Sequence, residues 1–194
     1  MRYSAEDKIL HFMIAGGMIV ELVIENWMQR PKPGETATAL QTLFFGAHEF
    51  VGVSLLAIII TRFLLMTGDW QAVLRLFPWL NTGGRHALAI ELKQAPSDWL
   101  SGKLKDAGEQ NFLARSVHGL GLLLALGLGL TGLTIFTQLS PGGTMGALGH
   151  GAMEVHEVLG TLLWLFLIAH IGMAIYHQML GHRALQRIFW TEDS

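Results

Sequence analysis

Nine histidines stand in a chain of 194 residues, and His11, His48, His118, His156 and His170 fall within long apolar runs or at their first turn. Imidazole titrates near neutrality and ligates metals as a neutral base. Burying it in hydrocarbon is costly, so histidines in such runs point to metal ligation or proton transfer. A histidine bonded to a neighbouring helix is the bland alternative for any one of them, and a set at matched depths is harder to explain that way. The chain has no cysteine. That removes disulfides, thiolate metal sites, iron–sulfur ligation and covalent haem attachment through C-x-x-C-H, so any redox group is held by other ligands.

The elements that position these residues are apolar helices. Hydrophobic residues make up 51% of the chain and charged ones 14%, which argues against an ordinary soluble globule. The net charge of -2 supplies no basic field for nucleic acid. A hydrocarbon core about 30 Å thick needs roughly 20 apolar residues in a helix. Four segments approach or meet that standard: Ile9 to Met28, Leu43 to Met66, Val117 to Thr137 and Val158 to Leu180. Ser4 and Asp7 stand at capping-box spacing and predict a first helix beginning near Ala5. That span also carries Glu21 and Glu25.

Thr67 to Ser116 is polar, holds Pro78, Pro96 and the Gly83-Gly84 pair, and reads as a long connecting loop. Within it, Trp70 to Leu76 and Trp99 to Lys105 are expected to be short interfacial helices, each with a tryptophan suited to the headgroup layer. Gln29 to Thr42 and Gln138 to Met153 read as loops. Of the 13 lysines and arginines, all but Arg30 and Lys32 fall at the termini or between Arg62, at the inner end of span two, and Arg115. The positive-inside rule therefore puts both termini and that loop in the cytoplasm. No small-residue cleavage site follows the first apolar run, so no cleaved signal peptide is read. The expected fold is a single all-α integral membrane domain over residues 1–194, a four-helix bundle with a long cytoplasmic loop (67–116) between helices two and three.

Depth sorts the histidines. His156 and His170 are 14 residues apart (170 − 156), about 21 Å of helical rise and nearly four whole turns, so both point the same way at different levels. His48, near the outer start of span two, shares the outer level with His156. His11, six residues after the expected helix start near Ala5, shares the inner level with His170. Two imidazole pairs at two levels suit bis-histidine haem between helices. Zinc wants a third or fourth ligand at each level, which span four does not supply. Copper stays open as an alternative, with no methionine identified to complete a site.

His48-Glu49-Phe50-Val51-Gly52 and His156-Glu157-Val158-Leu159-Gly160 repeat His-Glu-x-x-Gly, with Gly52 and Gly160 one turn beyond each histidine. Clearance for a flat macrocycle is one purpose for those glycines and close helix packing is another. Packing is the expected role of Gly119, Gly121, Gly127, Gly129 and Gly132. A metalloprotease H-E-x-x-H is excluded, because glycine stands where its second histidine belongs. His118 has three roles open to it: competing with His11 for the inner iron, bonding a haem propionate, or lining a quinone pocket. His177, on the face of His170, has the last two. Arg62 and Arg115 at the inner edge are candidates to pair with propionates, with snorkelling as the alternative. Glu21 and Glu25 are candidates for proton relay or simple interfacial residues. His86, His150 and His182 read as solvated.

The pattern resembles the four-helix di-haem cytochromes b, which include bacterial cytochrome b-561, the b-type cytochrome of nickel–iron hydrogenases and the gamma subunit of formate dehydrogenase. The likeness covers all four spans and is most specific in the last, from Val155-His156-Glu157 through Ala169-His170 to Tyr176-His177. It implies haem b on His48 and His156 and a second haem b on His11 and His170. Gly102 to Gln110 is similar to the Gly-Lys-Phe-Asn-Ala-Gly-Gln-Lys stretch of formate dehydrogenase gamma subunits, with Lys105-Asp106 in place of the asparagine. The resemblance implies a multi-pass protein of the bacterial inner membrane. It would carry electrons between a periplasmic-side donor, such as a dehydrogenase or iron–sulfur subunit, and the quinone pool. The rival within that class is a stand-alone superoxide:quinone oxidoreductase. The rival outside it is a proton or metal transporter with histidines along its path.

Overall fold

The computed structural model describes residues 5–105 and 111–182. Helices α1 (Ala5–Glu25), α2 (Ala39–Thr67), α3 (Trp70–Leu76), α4 (Thr82–Ser101), α5 (Phe112–Gln138) and α6 (Ala147–Met179) follow one another, with a 3-10 turn, Pro78–Leu80, after α3. No strand occurs among the described residues, as the all-α expectation requires. Ser4, residues 106–110 of the formate dehydrogenase likeness, and Arg183 and Arg187 of the charge count lie outside them.

Among the described residues three helices, α2, α5 and α6, are long and apolar enough to cross a membrane. Four were expected. The missing one is α1, which is described from Ala5 and stops at Glu25 rather than Met28. Its uncharged stretch is confined between Lys8 and Glu21. The last span, α6, starts at Ala147, earlier than expected, and runs unbroken to Met179, so one continuous helix carries both His156 and His170. Phe50, Leu65, Leu130, Leu162, Leu165 and Ile168 project outward from these helices. Helices apolar on every side, with each backbone group bonded within the helix, are built for lipid rather than water.

Chain contacts divide the protein into two compact units. One gathers Ile9–Arg62 and Leu123–Leu165. Its core joins Met18 and Leu22 of α1, Leu55, Leu56 and Ile59 of α2, Ala125 and Ile135 of α5 and Leu163 of α6. Glycine sets how closely these helices pack: a Cβ on Gly129 would come within 2.8 Å of Leu56, and one on Gly127 within 3.1 Å of Leu159. This is the small-residue packing expected of α5.

The other unit gathers Phe63–Leu122 and the chain from Phe166 onward. Here the expected long loop proves to be mostly helix. Asp69 caps α3 by accepting from the Gln71 N–H at 2.9 Å, and Asn81 caps α4 by accepting from Gly84 at 2.6 Å. Gly83-Gly84 is a site of close approach and not a helix breaker, because a Cβ on Gly84 would collide with the Pro78 backbone. Pro96 sits inside α4, which forgoes one backbone bond there. Gly102, at φ 65°, ends α4 in the left-handed conformation glycine favours. The Trp99 to Lys105 run is therefore the last turn of a longer helix plus the strand of chain that leaves it, and not a helix of its own. Two polar bonds tie α4 to its neighbours. Glu91 accepts from the Leu113 N–H at the start of α5 at 2.7 Å, and the Tyr176 hydroxyl of α6 donates to the Trp99 carbonyl at 2.8 Å.

Candidate cofactor-binding site

In the unit that holds most of α1 and α2, side chains from four helices converge on two histidines. The imidazoles of His48 (α2) and His156 (α6) lie 6.2 Å apart, centroid to centroid, with planes at 89°. The Nδ1 of His48 meets the carboxylate of Glu21 (α1). A carboxylate only accepts, so His48 Nδ1 carries the proton. The Nδ1 of His156 lies 2.9 Å from Thr131 Oγ1 (α5). That hydroxyl already donates to the Gly127 carbonyl at 2.8 Å, which leaves its oxygen to accept from His156 Nδ1–H. In both rings Nδ1 is engaged, and Nε2 is the nitrogen left to bind a metal.

Glycine again makes the room. A Cβ on Gly132 would lie 3.3 Å from His156 Cε1, so any side chain there would push the ring. A Cβ on Gly52 would lie 3.6 Å from Glu21 Oε1, which makes Gly52 the neighbour of the carboxylate. Gly160 has nothing within 4 Å of its Cβ position, an open face beside α6. Glu21 was expected as a proton relay or interfacial residue; its carboxylate oxygens are instead sealed from solvent against His48. Neither Glu21 nor Thr131 stood out as a partner of the histidines in the sequence. An acid inside an apolar run was the signal for the first, and a lone threonine among glycines is too common to signal the second.

The second unit brings together a different pair. His118 (α5) and His170 (α6) have ring centroids 5.1 Å apart at 89°, and Phe166 stacks on His170 at 5.3 Å and 13°. His118 Nδ1 donates to the Ala114 carbonyl one turn back at 2.7 Å, which leaves Nε2 for another partner. Gly121 lies under the Phe166 ring, where a Cβ would clash. His177 is buried and shares a 2.8 Å Nδ1 to Nδ1 bond with His182, so His182 is not simply solvated. His11 is half-buried on α1 in the first unit, its ring 6.3 Å from that of Phe12.

Arg115 donates to the Leu74 carbonyl at 2.7 Å and the Arg75 carbonyl at 2.5 Å, and its guanidinium lies over Phe112 at 4.8 Å. It thus caps the carboxyl end of α3. Arg62, in α2, is half-buried.

The donors suit one kind of metal group. Among the described residues no group of three or more histidines, cysteines or acids could hold an ion, so a bare tetrahedral or octahedral metal lacks ligands. A haem iron needs only two from the protein, because the macrocycle supplies the rest. His48 and His156 offer two imidazoles whose Nδ1 atoms are engaged, separated by enough space for one metal atom bonded at about 2 Å to each.

The comparisons with known proteins agree with that chemistry. A family model described as prokaryotic cytochrome b561 matches residues 2–191, nearly the whole chain. No curated protein and no solved structure matches. With paired imidazoles in apolar helices and a match of that extent, the chain belongs to the prokaryotic cytochrome b561 family, as a membrane b-type cytochrome that binds haem b and works in electron transfer.

Proposed function

We propose that the protein is a di-haem cytochrome that carries electrons across the bacterial inner membrane between a periplasmic-side donor or partner subunit and the quinone pool. The observation that carries this reading is the His48–His156 pair, whose Nδ1 atoms are both engaged and whose separation of 6.2 Å admits one iron. Bound haem would supply one-electron chemistry, with its potential set by the axial ligands, burial and surrounding hydrogen bonds. His48 and His156 hold one haem in this reading. His170 holds the second with His11 as its partner, the pairing that the family resemblance implies. Span one then crosses the membrane despite Glu21, because the carboxylate is met by His48 and faces protein, not lipid.

A second reading of the second haem has a specific observation in its favour. His118 faces His170 at 5.1 Å, closer than the 6.2 Å of the first pair, so the two rings would part to admit an iron, and its Nδ1 is committed to Ala114. In the first reading His118 instead lines the haem or the quinone pocket. Charge bias puts the α3–α4 region and both termini in the cytoplasm. The buried His177 with His182 then lies on the quinone side, where a pair of imidazoles can pass a proton.

Pyridine-haem quantitation with reduced-minus-oxidised spectra tests the proposal. Wild type should carry two haems b per chain, and His48→Ala and His170→Ala should each carry one. Wild type with a single haem, or either variant with an unchanged count, rejects the assignment.

A further inference from the structure

Glu21 is the least expected group in its unit. An isolated carboxylate inside an apolar helix is expensive and persists only with a partner and a purpose. Both of its oxygens are sealed from solvent, and one of them, Oε2, meets His48 Nδ1. Gly52, one turn beyond His48, leaves the carboxylate its space. On the opposite ring the equivalent place is taken by a neutral hydroxyl, Thr131, already committed as a donor to Gly127. The two imidazoles therefore have unequal partners: one faces an acid, the other an alcohol.

Resting on the reading that His48 and His156 ligate one haem, we propose that Glu21 and Thr131 are positioning residues that set the potential of that haem, with Glu21 dominant. A carboxylate that accepts the Nδ1–H bond pulls the proton outward and leaves Nε2 more electron-rich. A richer Nε2 favours the oxidised metal and lowers the potential. Threonine, a weaker acceptor with its own proton already given away, holds the His156 ring in place and enriches it less. The carboxylate also puts negative charge into a low-dielectric interior, which acts in the same direction.

The test uses the detergent-extracted holoprotein and measures the midpoint potential of each haem by spectroelectrochemistry, with electron paramagnetic resonance of the oxidised form. Glu21→Gln keeps the volume and a hydrogen-bond acceptor but removes the acid. It should retain both haems and raise one potential by about 59 mV or more, a tenfold shift in the oxidised-to-reduced ratio for one electron. Thr131→Val should move the same haem by less, and the other haem should not respond to either change. His48→Ala identifies the haem concerned by removing it. Where Glu21→Gln fails to retain its haem, Glu21→Asp replaces it: the shorter carboxylate should give a potential above that of wild type. Unchanged potentials in a variant that keeps both haems overturn the proposal while leaving the ligand assignment intact. An unchanged haem count in His48→Ala overturns the ligand assignment itself, whatever the potentials do.

Discussion

The two histidine pairs are built on opposite plans. His48 and His156 are each oriented by a side chain from a different helix, Glu21 and Thr131, and their rings stand 6.2 Å apart. His118 is oriented by the Ala114 carbonyl of its own helix. His170 is flanked by Phe166, and the rings stand 5.1 Å apart. Side-chain partners can be exchanged by mutation and carry charge, so the first pair is tunable. A backbone carbonyl cannot be exchanged, so His118 is held by the geometry of its own helix, and Phe166 packs on the ring of His170. The difference teaches that one protein can ask its histidines for two things: a set electron density at one pair, and a set shape at the other.

The largest effect separates the two candidates for the partner of His170. His11→Ala should lose a whole haem, and His118→Ala should keep both while altering the spectrum of one. The reverse result by pyridine-haem quantitation makes His118 the ligand and collapses the contrast between the pairs. Next comes the scaffold of the second pair. Arg115 links α5, which carries His118, to the carbonyls ending α3, and Arg115→Gln should cost about 1.5 kcal/mol, the lower end for hydrogen bonds to a charged group. Thermal unfolding in detergent measures that loss, and an unchanged melting temperature would mean that α3 docks by packing alone. Packing itself is probed by glycine. Gly121→Ala drives a methyl into the Phe166 ring and should cost about 1–3 kcal/mol as overpacking. Gly132→Ala, whose Cβ would lie 3.3 Å from His156 Cε1, asks only for a small shift and should cost less. If Gly132→Ala is the more damaging in the same unfolding assay, the first pair is the more shape-dependent and the comparison fails.

What the sequence disclosed followed from how local each cause was. The apolar spans were legible because hydrocarbon demands unbroken runs, and α2, α5 and α6 have them. The helix Trp70–Leu76 was legible because an end tryptophan is a signal within a few residues. Helix α4 was misread because Gly83-Gly84 and Pro96 punctuate loops in most sequences, and only the approach of Pro78 to Gly84 explains the pair. Its real boundary marks, Asn81 before it and Gly102 after it, were present in the chain. Histidine spacing on α6 was enough to suggest pairing with α2, since the register of one helix needs no tertiary knowledge. The partners Glu21 and Thr131 were not legible, because which face of α1 or α5 turns towards a histidine depends on packing between helices far apart in sequence.

The smallest effect tests whether the second pair is insulated from its scaffold. Asp69, at the start of α3, has a pKa held below the ordinary aspartate value, chiefly by the hydrogen bond from the Ala72 N–H, with further help from the Arg75 side chain and the Gln71 N–H. Its folded pKa is depressed, so its contribution to α3 is fully present above the ordinary carboxyl value of about 3.9 and fades as the pH falls through the folded pKa. The amide signals of Gln71 and Ala72 should therefore titrate below that value in wild type. In Asp69→Asn, which keeps a capping oxygen but cannot ionise, they should be flat. Through the same acid range the absorption of the haem held by His170 should not follow these amides, because the Ala114 carbonyl that orients His118 does not titrate. A haem signal that moves in step with the Asp69 amides in wild type and not in the variant would show that the cap of α3 reaches the histidines, and that the second pair is as adjustable as the first.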